Sequence, residues 1–387
     1  MKILSASAAV FIFNMAVFSP SSFTASDTSS PVTGKPVQNP KIQAAILLDV
    51  SNSMDGLIEQ AKAQLWNMVS VMGRAKCENG LPKIEIALYE YGRDSNDPAK
   101  GYIKQITGFS SDLDNISQEL FKLTTNGGDE YCGHVIHTSL DELEWDSLST
   151  NYKVIFIAGN EDFLQGKISY TTSCAEAKKK GVIVNTIYCG SKTAGIREHW
   201  NLGAECGNGS FTNIDPNAAF KEIETPYDSS LFLLNNKLNG TYLSYGYMGV
   251  ASYETQANVD KLNFKMSKSA AAKRVAVKGQ SNLYANTKWD MVDAYKADSV
   301  SFLKTLKNDS VPDSLKNKST EELQKIIKTK SDERAAIQKE ILTLSATRDA
   351  YIAAETKKLA ADNTQTLETE VEKIIKEQVK RFKMYIE

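Results

Sequence analysis

Hydrophobic positions follow two regimes along the chain. Up to about residue 222, short apolar runs alternate with amphipathic stretches; beyond it the 3–4 spacing of helices dominates. The first run, Ala44, Ala45, Ile46, Leu47 and Leu48, has no polar alternation, which marks a strand buried on both faces. It ends in Asp49-Val50-Ser51-Asn52-Ser53. Leu57, Ile58, Ala61, Leu65, Met68, Val69 and Met72 then recur at helical spacing. Further strands are predicted at 84–91, 102–106, 152–158, 182–188 and 210–214. Helices are predicted at 111–123, 133–145 and 196–206, with another ending at Lys180 before a Gly181 stop. Strands alternating with helices imply an α/β fold, a doubly wound and mostly parallel sheet over 41–222.

From 223 to 387 the pattern predicts an all-α helical domain. Its helices are expected at 255–277, 283–306 and 319–361, the last opened by the Ser319/Glu322 capping box, with a final one at 367–386. The last two, joined by a short polar break, read as an antiparallel coiled-coil-like hairpin over about 319–387. A Tyr- and Gly-rich stretch, 240–253, reads as packing between the two parts ahead of a sugar-stacking surface.

Composition adds a compartment. Lys2, the apolar run 3–18 and the small residues after it have the layout of a secretory signal peptide, 1–26, followed by a disordered spacer, 27–40. The run is short for an uncleaved membrane anchor, and no later segment is apolar enough to span. A periplasmic or secreted location is therefore expected. The net charge of -2 gives no attraction to nucleic acid. Five cysteines, Cys77, Cys132, Cys174, Cys189 and Cys206, suit an exported chain that forms disulfides. By strand direction Cys77 and Cys206 share the edge far from the ligand end, so they are expected to pair, with Cys132 bonded to Cys174 or Cys189.

The chemistry concentrates at the end of the first strand. In a parallel sheet ligands bind beyond the carboxyl ends of the strands, and Asp49, Ser51 and Ser53 place three hard oxygen donors there. Cys132-Gly133-His134-x-x-His137 resembles a soft-metal or Cys–His pattern, but a zinc site would need a further ligand, and structural roles are favoured.

Over 41–222 the chain resembles a von Willebrand factor A domain. The resemblance rests on Asp49-x-Ser51-x-Ser53, on Gly127-Gly128 before a helix and on the strand order. The runs TTNGGDEYCG, IFIAGNEDF and VNTIYCG are similar to those of exported bacterial members that carry a helical extension. The resemblance implies a metal-ion-dependent adhesion site, MIDAS, to which Asp49, Ser51 and Ser53 carry over. It departs at two positions: Asp129 follows Gly127-Gly128 where the family has Thr, and Gly159 stands where the family has Asp.

A carboxylate lost at Gly159 and regained at Asp129 would keep two anionic ligands. Asp129 is thus the expected fourth metal ligand, with Thr125, Glu130, Glu161 and Asp162 as supporting acceptors; alternatively Asp129 only caps the following helix. The expected cofactor is a divalent cation, Mg2+ ahead of Ca2+ or Mn2+. The expected function is binding, without catalysis, of a protein or peptide partner offering a carboxylate. Metal-free scaffolding through the helices is the alternative. A metal-assisted hydrolase with Glu130 or Glu161 as base ranks below both.

Overall fold

Both faces of the first strand are covered, and this sets the layering. The computed structural model describes residues 40–55, 58–78, 80–214, 223–359 and 367–386. The expected signal peptide and, except for Pro40, the spacer lie outside these residues. In chain order the first part is β1 (Lys41–Asp49), α1 (Ile58–Met72), β2 (Ala75–Lys76), β3 (Lys83–Tyr91), β4 (Lys104–Ser110), α2 (Leu113–Lys122) and α3 (Cys132–Glu142). There follow β5 (Tyr152–Gly159), α4 (Tyr170–Lys180), β6 (Ile183–Cys189), α5 (Lys192–Arg197), α6 (Trp200–Cys206) and β7 (Asn208–Ile214). The six-stranded sheet has the order β4-β3-β1-β5-β6-β7. β1 runs parallel to β3 and β5, β6 and β7 continue in parallel, and only β4 is antiparallel. This is the α/β architecture expected from the sequence.

Successive β1 residues feed opposite cores, as strand geometry requires. Ala45 and Leu47 join Val135, Ile136, Ala177 and Trp200 beneath α3, α4 and α6. Ile42, Ala44 and Leu48 join Leu65, Val69, Ile116 and Leu120 beneath α1 and α2. Two predicted boundaries moved for backbone reasons. Gly101 and Tyr102 both have positive φ, so the strand expected at 102 begins at Lys104. His199, with φ 63°, interrupts the helix expected over 196–206 and leaves α5 and α6.

The helical part comprises α7 (Asp228–Asn239), α8 (Gly249–Met266), α9 (Lys268–Lys278), α10 (Met291–Ala297), α11 (Ser299–Thr305), α12 (Thr320–Leu359), α13 (Leu367–Val379) and the short strand β8 (Tyr385–Ile386). The helix expected over 255–277 breaks at Ser267, whose extended backbone lets its side chain cap α9 at the Ala270 amide. The stretch expected to be helical over 283–306 holds only the two short helices α10 and α11, divided at Asp298, whose carboxylate caps α11. The capping box forms in full: Ser319 N donates to Glu322 Oε2 at 2.8 Å, and Glu322 N donates to Ser319 Oγ at 3.2 Å. The hairpin expectation changes, because α12 packs on α7, α9 and α10 whereas α13 lies on α1 and β7. The chain then pairs β8 with β2, antiparallel. Tyr242 of the Tyr-rich stretch is buried, with Arg334 4.1 Å above its ring, which is a packing role.

The change of composition near 223 marks a change of element type within one continuous core, since Leu231, Val275, Ile341 and Ile375 share a cluster with β1 and α1. Buried ions join the two parts. Arg274 on α9 is 1% exposed, pairs with Asp114 of α2 at 2.7 Å and Asp260 of α8 at 2.6 Å, and lies 4.7 Å over the Trp66 ring of α1. Lys278 meets the same Asp260 at 2.9 Å. Opposite charge on Lys278 and Arg274 outweighs burial and holds the Asp260 carboxyl well below its ordinary value. Gln378 on α13 donates to Asn185 of β6 at 2.7 Å and accepts from Tyr152 of β5 at 2.8 Å. Removing one partner of such a network strands a buried charge. Arg274→Ala is therefore expected to lower the unfolding free energy by about 3–5 kcal/mol in urea titration; a loss below about 1 kcal/mol would contradict this role.

Candidate metal centre

The residues that end β1 are fixed by backbone bonds to the neighbouring loops. Val50 N donates to Tyr91 O at 3.0 Å, and Asn126 N donates to Val50 O at 2.8 Å. The loop after β1 and the loop before α3 are thereby held against each other. Gly92, with φ 79°, gives the end of β3 a conformation and a clearance no other residue supplies. A side chain there would meet Asp49 Oδ1 and Glu130 Cγ, each at 2.9 Å, and Ser51 Cβ at 3.6 Å. Asp49, Ser51 and Glu130 thus converge on one point beside Gly92.

Asp49 is wholly buried, with Oδ1 accepting from the Ser51 amide at 2.8 Å. Its Oδ2 is buried without a hydrogen bond of normal geometry, although the Asn160 amide lies near. Ser51 Oγ and Ser53 Oγ share a hydrogen bond at 2.8 Å. Ser53 Oγ donates to Asn160 Oδ1 at 2.8 Å, and Asn160 Nδ2 returns a bond to Ser53 O at 3.1 Å. Burial pushes the Asp49 carboxyl up to about 6, against the Ser51 hydrogen bonds that favour its charge, and Glu161 adds repulsion. Burial likewise raises Glu130 to about 7, with repulsion from Asp49 and then Glu161, while the Ser51 hydroxyl opposes the shift. Two or three acids thus face one another in a poorly hydrated corner.

The expected residues sort as follows. Asp49, Ser51 and Ser53 are together. Asp129 is exposed and accepts from Tyr131 OH at 2.8 Å, outside the cluster, and the inward carboxyl of this loop belongs to Glu130. Glu161 is close enough to act on both acids. Thr125 donates to Asp55, and Asp162 pairs with His199 Nδ1 at 3.0 Å, so neither joins the acids. Gly128 presses on the end of β3, where a side chain would lie 2.5 Å from Gly92 O. Glycine at 159 also has a local cause: a side chain would meet Tyr91 OH at 2.5 Å and Asp49 Oδ2 at 3.1 Å. Tyr91 OH donates to Ala158 O at 3.0 Å and fills that space.

The other sequence candidates do not assemble. His137 Nδ1 meets Glu176 at 2.7 Å, His134 packs beside Gly101, and Cys132 lies under Tyr91 OH. All five cysteines are unbonded. Cys77 and Cys206 are separated by the sheet: Cys77 packs against the α1 side, whereas Cys206 ends α6 on the opposite face. Among the described residues, no group of three or more His, Cys, Asp or Glu side chains is placed to hold a metal ion. The donor set at β1 is of another kind, two carboxylates with serine hydroxyls, and fits a hard cation. The orphaned Asp49 oxygen is the observation that favours one there.

No family model and no curated protein matches the chain. Solved structures to which it is similar include the SpRpn10 VWA domain, at 14% identity and TM-score 0.35 over 46% of this chain and 90% of that one. BatB from Bacteroides thetaiotaomicron matches at 14% identity and TM-score 0.34, over 45% and 90%. Proximal thread matrix protein 1 of the mussel byssus, with a zinc-occupied MIDAS motif, matches at 15% and 0.34, over 47% and 44%. The chain spans less than half the length of the mussel protein. The fold assignment rests on the strand order itself.

Two outcomes follow from this geometry. In metal-free buffer, the folded state holds protons on Asp49 and Glu130 up to about 6 and about 7, above the unfolded values of 3.8 and 4.5. The stability these acids contribute is complete below the unfolded values and is lost as pH rises through the folded ones. For Asp49 the difference is on the order of 3 kcal/mol. Urea midpoints should therefore fall more steeply between about pH 4 and about pH 7 in the parent than in Asp49→Asn; parallel curves would contradict the burial argument. Placing an acid there by Gly159→Asp should destabilise by about 1–3 kcal/mol through the Tyr91 clash, read by thermal melting.

Proposed function

We propose that this chain is an exported binding protein of the bacterial envelope, periplasmic or secreted. It takes a protein or peptide partner through a divalent cation held by Asp49, Ser51, Ser53 and Glu130, with Glu161 alongside. The observation that carries this reading is the Asp49 carboxylate, buried and short of a partner for Oδ2, next to a second buried acid. A cation offsets the mutual repulsion that raises both acids, and its charge favours a partner carboxylate in a partly desolvated cleft. Small size and all-oxygen donors favour Mg2+, with Ca2+ or Mn2+ as substitutes. Two acids and two hydroxyls suffice for binding, and no reaction is assigned to them. Among the described residues no helix is long and apolar enough to cross a membrane.

A second reading has its own observation. α7, α8 and α9 line an open groove of about 580 Å3 whose walls include Phe232, Leu233, Phe264 and Val275, with Asp260, Lys261 and Arg274 among its polar residues. Leu233 and Phe264 are 63% and 51% exposed, so a partner could engage the helices without metal.

Calorimetry of the full chain with Mg2+, Ca2+ and Mn2+ should give binding heat that Asp49→Ala and Glu130→Gln abolish and Asp129→Asn leaves intact. Partner capture from envelope extract should be lost with chelator and with Asp49→Ala, and kept in Leu233→Asp and Phe264→Asp. The opposite pattern would move the function to the helices.

A further inference from the structure

Two of the unbonded cysteines are neighbours. Cys174, within α4, is fully buried, and Cys206, the last residue of α6, is partly exposed. α4 packs against α6, and Cys174 Sγ lies 3.8 Å from Gly203 O. Gly203 precedes Cys206 by three positions, which share one face of a helix, so the Cys206 thiol lies near enough to Cys174 to act on it. The remaining cysteines are engaged elsewhere. Cys132 sits against Tyr91 OH at 3.8 Å, Cys77 donates to Gly80 O at 2.9 Å, and Cys189 is buried near Asp49 at the end of β6.

We propose that Cys174 and Cys206 form a disulfide that staples α4 to α6 once the chain meets a disulfide oxidant. The accessible Cys206 attacks one sulfur of the oxidant's disulfide, forming a mixed disulfide and releasing one thiol. Cys174 then attacks Cys206 Sγ and releases the second thiol. Two protein thiols are oxidised by two electrons, one oxidant disulfide is reduced to two thiols, and the protein's two protons leave on them. Burial pushes the Cys174 thiol up, and its contact with Cys206 adds to this, so the second step is slow in the folded chain and faster during folding.

The staple reaches the metal centre through α6. Trp200 Nε1 donates to Glu161 O at 2.7 Å, and Gly203 packs so closely on Phe163 that a side chain there would lie 2.3 Å from the ring. Fixing α6 therefore fixes the segment that carries Asn160 and Glu161. Formation of the bond in the cell rests on the export reading, whereas its formation in the test tube does not.

The full chain is refolded in a reduced/oxidised glutathione buffer, blocked with N-ethylmaleimide and digested without reduction. Mass mapping is expected to recover a linked peptide pair joining Cys174 to Cys206. Reductant is expected to lower the melting midpoint by on the order of 5 °C in the parent and not in Cys206→Ser. Recovery of both residues singly alkylated, or of Cys206 linked to any other cysteine, overturns the proposal. The mapping uses the parent chain, so it stands even if a variant fails to fold. If mapping shows the bond in glutathione but protein recovered from cells carries free thiols, the pairing stands and the export reading fails.

Discussion

Burial of β1 on both faces is the constraint from which the rest follows. A strand of Ala, Ile and Leu with no polar face demands a helical layer on each side, and its hydrogen-bonding edges demand β3 and β5. Once those are in place, the chain must leave the sheet at Asp49 between two other strand ends. The acid is delivered there by the apolar residues before it. Water is displaced by the same layers, which is why a carboxyl at that point carries an unusual affinity for its proton.

The sheet was legible because its information is local. Periodicity distinguishes buried strands from amphipathic helices, and Gly181 and the Ser319/Glu322 box announce helix ends through backbone geometry alone. Three features were not legible. That Glu130 and not Asp129 lies beside Asp49 depends on contacts with Gly92 and Ser51, in loops well separated along the chain. The cysteine pairing inferred from strand direction took account of the end of the sheet but not of its face, and Cys77 and Cys206 lie on different faces. The helical part was read by its spacing, but its packing also rests on buried ions such as Arg274 and Arg334, which an apolar periodicity does not register.

Local packing accounts for which oxygen donors surround Asp49. At Gly159 the space beside Asp49 is filled by Tyr91, so an acid there has no room. Glu130 reaches Asp49 from the loop before α3, its Cγ lying beside Gly92. The hydroxyls of Ser51 and Ser53 remain linked to each other and to Asn160, which keeps the oxygen donors oriented before any ligand arrives.

The Arg274 clamp has a mechanical meaning. α1 begins a few residues beyond Ser53 and carries Trp66, on which the guanidinium rests while it holds Asp114 and Asp260. Any sliding of α1 along the sheet would have to tear that cation from its ring and its carboxylates together. The helical part therefore acts as a brace that sets the pose of the first loop once, at folding. The loop after β1 is thereby tied to α9 through α1, with no hinge between the sheet and the helices that carry Asp114 and Asp260.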